Sequence, residues 1–338
     1  KSLAREFQLG GVVLFARNVQ APEQVAELVH GLRQLGDDEP PWVAVDQEGG
    51  RVARLRKPFT EWPPMATLGR LADPRVAERF ARALADELLA VGISLDFAPV
   101  LDVHTNPKNP VIGDRALGEK PEVVAEHGVA IIRGLQDAGV AACGKHFPGH
   151  GDTSTDSHLT LPLVEHPPDR LRAVEFAPFR AAIAADVASI MTAHVLVPAL
   201  DEQRPASLSR RIVRDILREE LGFQGLIISD DLEMRAVADG YALEESSVLA
   251  IEAGCDVVLL CGTDHNKQAR ALEALVRAVE SERLLFKQVD ETLARHRRVR
   301  ERFGARWSRW RPPSAQALRA ALGTDEHQAI AEHMRRFV

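Results

Sequence analysis

Short apolar runs recur along the chain, and between them apolar residues return every three or four positions. The runs cover residues 11–15, 42–45, 95–100, 140–143, 189–193, 225–228 and 256–260. Each reads as a strand. In the stretches between, Val25, Leu28, Val29 and Leu32 share one helical face, as do Ile212, Val213, Ile216 and Leu217. Ser209 is placed to cap the second of these helices and Gly222 to stop it. Strands alternating with helices predict a parallel sheet covered on both faces. Seven strands are counted, one fewer than a (β/α)8 barrel of the TIM type needs.

The polar residues follow a rule. Asp46, Asp102, Lys145, His146, His194, Asp230 and Asp231 each fall just past the C-terminal end of an apolar run. A barrel or an open α/β sheet carries its active site there. A doubly wound sheet is the competing architecture, but no Gly-x-Gly-x-x-Gly turn follows any run. Gly49-Gly50 and Gly149/Gly151 lack the Gly-Lys-Ser/Thr of a phosphate loop. The strand pattern stops after about Asp290. The barrel is therefore expected over residues 1–300, with a C-terminal helical extension over 301–338. Residues 295–310, rich in Arg and Trp, read as helix surface rather than a nucleic-acid patch, because the run is isolated.

Composition narrows the classes. The 338 residues suit two average domains or one α/β barrel. A net charge of -7 argues against a broad nucleic-acid footprint. No run reaches the ~18 apolar residues of a membrane span, and no signal peptide is visible. A cytoplasmic location is expected, although the chain opens on Lys1 rather than Met. Cys143, Cys255 and Cys261 sit in apolar, strand-like runs without Cys-x-x-Cys spacing. They read as reduced core cysteines, neither a disulfide framework nor a zinc site.

The densest chemistry lies at Lys145-His146-Phe147-Pro148-Gly149-His150-Gly151-Asp152-Thr153, with Asp156-Ser157-His158 after it. A buried core does not tolerate so many ionisable groups, and two glycines let the chain turn sharply. Asp156 and His158 are two apart. A carboxylate bonded to one imidazole nitrogen fixes the tautomer and leaves the other nitrogen for proton transfer. His150 reads instead as a residue that bonds loop backbone and holds its shape. Asp230 could be a nucleophile toward a sugar carbon or a metal ligand. Asp231 could be a helix N-cap, and neighbours on an extended chain point opposite ways, so at most one of the two easily faces the axis. In the stretch 46–54, Asp46 can accept from vicinal hydroxyls, and Arg51 or Arg54 can donate in a fixed fork. Gly49-Gly50 would let a ligand approach the backbone, and Arg51 alone could be a surface ion-pair partner. Arg115, in Asn109-Pro110-Val111-Ile112-Gly113-Asp114-Arg115, is another candidate clamp.

Together these motifs resemble bacterial β-N-acetylglucosaminidases of glycoside hydrolase family 3. The resemblance runs from Gly10-Gly11-Val12-Val13-Leu14-Phe15-Ala16-Arg17-Asn18 to about Arg300. It rests on Asp46-Gln47-Glu48-Gly49-Gly50-Arg51-Val52, the block from Lys145 to His158, Met191-Thr192-Ala193-His194 and Ser229-Asp230-Asp231-Leu232. It implies a (β/α) barrel and retaining hydrolysis of terminal N-acetyl-β-D-glucosaminides, in turnover of peptidoglycan fragments or chito-oligosaccharides. By position it makes Asp230 the nucleophile and His158 the general acid/base, oriented by Asp156. It makes Asp46 and Arg54 sugar-binding, with Arg115, Lys145 and His146 as further binding residues. A histidine acid/base departs from the usual pair of carboxylates, and it repels an attacking anion less, so phosphate could compete with water. No metal and no cofactor is implied, and the partner is a small oligosaccharide.

The chain departs from the family pattern in places. Arg115-Ala-Leu-Gly stands where Arg-Ser-Phe-Gly is common. A strand that the family has before Gly10-Gly11 is expected to be missing. Residues 327–331 resemble the helix that enters a second domain in longer members. Two other classes compete. A metal-dependent barrel hydrolase would use His146, His150, His158 and an Asp. A carbohydrate-binding barrel without catalysis would lack Asp230 or the His158 pair, and both are present.

Overall fold

The computed structural model describes residues 2–35, 40–157, 160–307 and 310–338. Seven parallel strands form one sheet, in the order β1 (Gly11–Leu14), β2 (Trp42–Val45), β5 (Leu95–Asp96), β6 (Ala141–Phe147), β7 (Ser189–Thr192), β8 (Leu226–Asp231) and β9 (Val257–Leu259). The hairpin β3 (Gln47–Gly49) and β4 (Val52–Ala53) projects from the end of β2. Neighbours in the sheet are also neighbours in sequence once that hairpin is set aside, as βαβ crossovers dictate. β1 pairs in register with β2, Val12 opposite Val43. β1 and β9 are the two edges, and among the described residues no strand lies between them. The α/β barrel architecture with seven strands agrees with the hydrophobic pattern.

Strand ends differ from the pattern in an informative way. β6 runs on to Phe147 and β8 to Asp231. Lys145, His146, Asp230 and Asp231 therefore sit inside the last residues of strands rather than past them. The ladder holds them: Lys145 N donates to Pro99 O at 3.1 Å and Leu101 N to Lys145 O at 2.6 Å. β5 is shorter than its apolar run, although Phe97 N still donates to Val45 O and Ala98 O accepts from Cys143 N, both at 2.9 Å.

Helices cover the outside. Pro22–Arg33 buries Val25, Ala26 and Val29. Pro74–Ala90 and Pro121–Ala138 pack tightly, and a side chain at Gly134 would place its Cβ 2.5 Å from Glu78 O. Gly is thus required by the close approach of the two backbones. Arg211–Glu220 buries Ile212, Val213, Ile216 and Leu217 but is wound as a π-helix. Ser209 Oγ accepts from Ile212 N at 3.3 Å, as the capping pattern predicts. No helix among the described residues is long and apolar enough to cross a membrane.

The barrel has a closed end and an open end. Trp42, Leu95, Ala141 and Leu226, the first residues of their strands, cluster with Val299, Phe303 and Trp307 of the helix Phe286–Trp307. The Trp42 and Trp307 rings meet edge to face, with centroids 4.4 Å apart. This helix stops the N-terminal end and leaves the C-terminal end open. The helices Ala315–Ala321 and Asp325–Arg335 fold back onto Pro74–Ala90. Buried Glu87 fastens them, accepting from Thr60 N, Gly323 N at 2.7 Å and His327 Nδ1 at 3.1 Å.

Candidate active site

The hairpin after β2 is held from below. Asp96 Oδ1 accepts from Gln47 N at 2.9 Å, and Gln47 Oε1 accepts from Arg54 N at 2.8 Å and Leu55 N at 3.0 Å. Asp46 and Glu48 are thereby fixed on one side of the turn. Gly49 and Gly50 take φ of +107° and +56° and pack against Trp62, Pro63 and Pro64. They serve the hairpin turn and not a ligand's approach, which corrects the sequence expectation.

Five charged side chains interlock there. Lys145 Nζ lies 2.8 Å from Asp46 Oδ1 and 2.7 Å from Glu48 Oε1. Arg115 meets Glu48 in a fork, Nε to Oε2 at 2.9 Å and Nη2 to Oε1 at 2.8 Å. Arg54 Nη2 reaches Asp46 Oδ2 at 3.2 Å. Burial pushes the Glu48 pKa up, but Lys145 and Arg115 outweigh it and hold the carboxyl far below its ordinary range. Burial alone would lower the pKa of Lys145; Asp46 and Glu48 raise it instead. Beneath them buried Asp96 is pushed up to about 7 by desolvation, only partly offset by the Gln47 N–H and Lys145.

On the adjacent turn, Asp102 is fully buried at the centre of a second network. Its Oδ2 lies 2.7 Å from His146 Nδ1, and its Oδ1 accepts from His150 N at 2.6 Å. The carboxylate selects the tautomer with a proton on Nδ1 and leaves Nε2 of His146 free to act as acceptor. Desolvation raises the Asp102 pKa, yet His146 and His150 bring it below the ordinary value. His150 bonds Thr153 Oγ1 at 2.7 Å and Ser157 Oγ at 3.0 Å. It holds the loop through side-chain hydroxyls rather than backbone, and burial lowers its pKa to about 4.

Opposite stands the end of β8. Asp230 Oδ1 accepts from Asp231 N at 2.8 Å. Burial raises its pKa, but His194, His146 and that N–H outweigh it, so Asp230 is ionised at neutral pH. Asp231 caps no helix: its Oδ1 accepts from Glu233 N and Cys261 N, both at 3.1 Å, and ties β8 to β9. Desolvation lifts its pKa to about 6.

These groups surround a cavity of about 420 Å³ lined by Asp46, Arg54, Arg115, Lys145, His146 and Asp230. All six had been singled out from sequence. Asp231 also lines it, although strand alternation allowed only one of the pair to face inward. The β8–β9 register shifts between Ile228 and Asp231, and this irregularity breaks strict alternation at the strand end. Phe15, Met191, Met234 and Leu259 supply an apolar wall. Cys143 and Cys255 are core residues, but Cys261 is not; it lies past β9 and lines the cavity. Arg51 pairs with Asp114 at 2.9 Å on the surface and donates to Val111 O. Asp156 is half-buried next to Ser157, which lines the cavity. His158 lies outside the described residues.

Sequence reasoning passed over Glu48 and Asp96, and it placed Asp102 and His194 without a task. Glu48 had a signal, since residues two apart on an extended chain share a side and Asp46 had been found. Among the described residues no three His, Cys, Asp or Glu side chains gather as metal ligands. His146 and His150 spend Nδ1 on Asp102 and Thr153.

A carboxylate facing a ring of paired donors and acceptors can hold a polyhydroxylated ring and attack it. Known proteins resemble the chain in sequence and fold. Residues 1–299 match the family model described as Glycosyl hydrolase family 3 N terminal domain. A β-hexosaminidase of Nitrosomonas eutropha is 44% identical over 262 residues, which are 75% of this chain and 74% of that protein. The solved structure of a family 3 β-N-acetylglucosaminidase from a Paenibacillus species superposes with a TM-score of 0.94 at 42% identity, and covers 98% of this chain. The chain spans 63% of that longer protein. Native NagZ from Neisseria gonorrhoeae superposes with a TM-score of 0.77 at 35% identity, covering 97% of this chain and 90% of its own.

Proposed function

Because the chain belongs to glycosyl hydrolase family 3, we propose that it removes terminal β-linked N-acetylglucosamine with retention of configuration, through a glycosyl-enzyme formed on Asp230. The observation that carries this reading is Asp230 itself. It is a half-buried carboxylate whose pKa the neighbouring imidazoles hold below the ordinary value, facing donors and acceptors matched to sugar hydroxyls. The named activities of the relatives support the substrate class.

In the first step an Asp230 oxygen forms a bond to C1 as the C1–O bond to the leaving group breaks. The imidazolium of His158 gives its proton to that departing oxygen. In the second step His158 takes a proton from water, the water oxygen bonds C1, and the Asp230 carboxylate is released. Asp156 orients His158. Asp46 accepts from hydroxyls of the terminal ring, while Lys145, Arg54 and Arg115 donate to them. His146, set by Asp102, presents Nε2 to the sugar. The biological substrates are peptidoglycan fragments or chito-oligosaccharides.

The test compares p-nitrophenyl N-acetyl-β-D-glucosaminide with the matching glucoside. The wild-type protein cleaves the first far faster, and Asp230→Asn loses on the order of a thousandfold or more in kcat. Equal cleavage of both glycosides, or more than about a tenth of the activity left in Asp230→Asn, contradicts the reading.

A further inference from the structure

Glu48 stays out of the cavity, yet it touches two of the residues that line it. We propose that Glu48 is a positioning residue, one that locks Lys145 and Arg115 into a single donor unit for the hydroxyls of the terminal sugar. This rests on the glycosidase reading and adds a residue to it.

The hydrogen-bond count carries the inference. Glu48 is 2% exposed, and both its oxygens are taken. Oε1 receives Lys145 Nζ at 2.7 Å and Arg115 Nη2 at 2.8 Å, and Oε2 receives Arg115 Nε at 2.9 Å. Arg115 spends a further N–H of Nη1 on Val111 O at 3.2 Å. Lys145 spends a second N–H on Asp46 Oδ1 at 2.8 Å. Lys145 has three N–H donors and Arg115 five. One N–H of Lys145 and the outer corner of the Arg115 fork are therefore left, on the two side chains that line the cavity.

Charge makes the same point. Lys145 and Arg115 repel one another, and burial penalises both. Without Glu48 the cluster would set three cations, Arg54 included, against the lone carboxylate of Asp46. The flexible Lys145 and Arg115 side chains would then part, and their remaining donors would no longer converge. Because Lys145 and Arg115 hold Glu48 ionised far below its ordinary pKa, its hold is constant through neutral pH.

A double-mutant cycle separates positioning from plain stability. Glu48→Gln is measured alone, in an Arg115→Ala background and in a Lys145→Met background. The readouts are kcat and KM on the aryl N-acetylglucosaminide and the Kd of free N-acetylglucosamine by calorimetry. Alone, Glu48→Gln is expected to weaken sugar binding and raise KM by about 30-fold, with the larger part of the loss in KM. In either background it should cost less than about threefold more, because its partner is already gone. Glu48→Asp keeps the charge but shortens the reach, and should give a milder loss of the same kind. Equal costs in all backgrounds, or a loss in kcat with KM unchanged, overturn the proposal. So does loss of the folded barrel in both variants by circular dichroism, which would make Glu48 a folding residue. A wild-type protein that neither binds N-acetylglucosamine nor cleaves its glycosides would overturn the glycosidase reading itself, a different failure.

Discussion

His194 Nε2 donates to the main-chain oxygen of Asp231 at 2.9 Å and so pins the strand end that carries Asp230. A carbonyl can only accept, so Nε2 holds the proton and Nδ1 accepts from Ser207 Oγ at 2.7 Å. Burial lowers the His194 pKa, which keeps this neutral tautomer in place near pH 7. Once protonated at lower pH, His194 is also the leading influence that holds the Asp230 pKa down.

His194→Ala should therefore change the pH profile as well as the rate. A nucleophilic carboxylate works only when ionised, so activity falls as pH drops through its pKa. Removing the imidazole takes away a lowering influence, and the acidic limb of kcat/KM should move to higher pH. Two buried polar groups also lose their partner, and the melting point should drop to match a loss of ~1–3 kcal/mol. A variant with a lower rate but an unmoved acidic limb would deny His194 this electrostatic role.

Asp96 gives a stability prediction of the opposite sign to an ordinary acid. Its pKa rises from 3.8 to about 7 on folding, chiefly through desolvation. Between those values the folded protein keeps a proton that the unfolded chain has lost. Stability from this group thus falls as pH rises, by ~1.4 kcal/mol per pH unit within the window. Asp96→Asn keeps an acceptor for Gln47 N and carries no charge. Urea denaturation should find the variant stabler than wild type at pH 8.5, by on the order of 2–4 kcal/mol, with little difference at pH 4.5. A difference independent of pH would mean that Asp96 is not held protonated.

His158→Ala should discriminate between leaving groups. Protonation matters when the departing alcohol is poor and matters little when it is good. The loss should be about a hundredfold or more on a chitobiose-type glycoside and far smaller on an activated aryl glycoside. Asp156→Ala should show the same pattern more mildly, since it acts through the imidazole. Equal losses on both substrates would leave His158 as a binding residue.

Much of this was legible in the chain because parallel βα units impose a rule. Strands buried on both faces are mostly apolar, so the first charged residue marks the strand's functional end, as at Asp46, Lys145 and Asp230. What the rule hid were the buried polar partners. Glu48 and Asp96 do not announce themselves, because their partners are distant in sequence: Glu48 meets Arg115 and Lys145, and Asp96 the Gln47 N–H. Cys261 was misread as core because composition cannot tell the last strand residue from the first loop residue. The two strand ends misjudged, β6 and β8, are those where main-chain pairing outlasts the apolar side chains.

The central claim is a covalent sugar on Asp230, and mass spectrometry tests it most directly. A 5-fluoro N-acetylglucosaminyl fluoride has a leaving group good enough for the first step and a ring too electron-poor for fast release. Incubation should add one sugar per chain, on the peptide that contains residues 226–233, with fragmentation placing it at Asp230 and no addition in Asp230→Asn. A label on Asp231 or another carboxylate, or steady turnover of the fluoride with no labelled protein, would contradict the assignment.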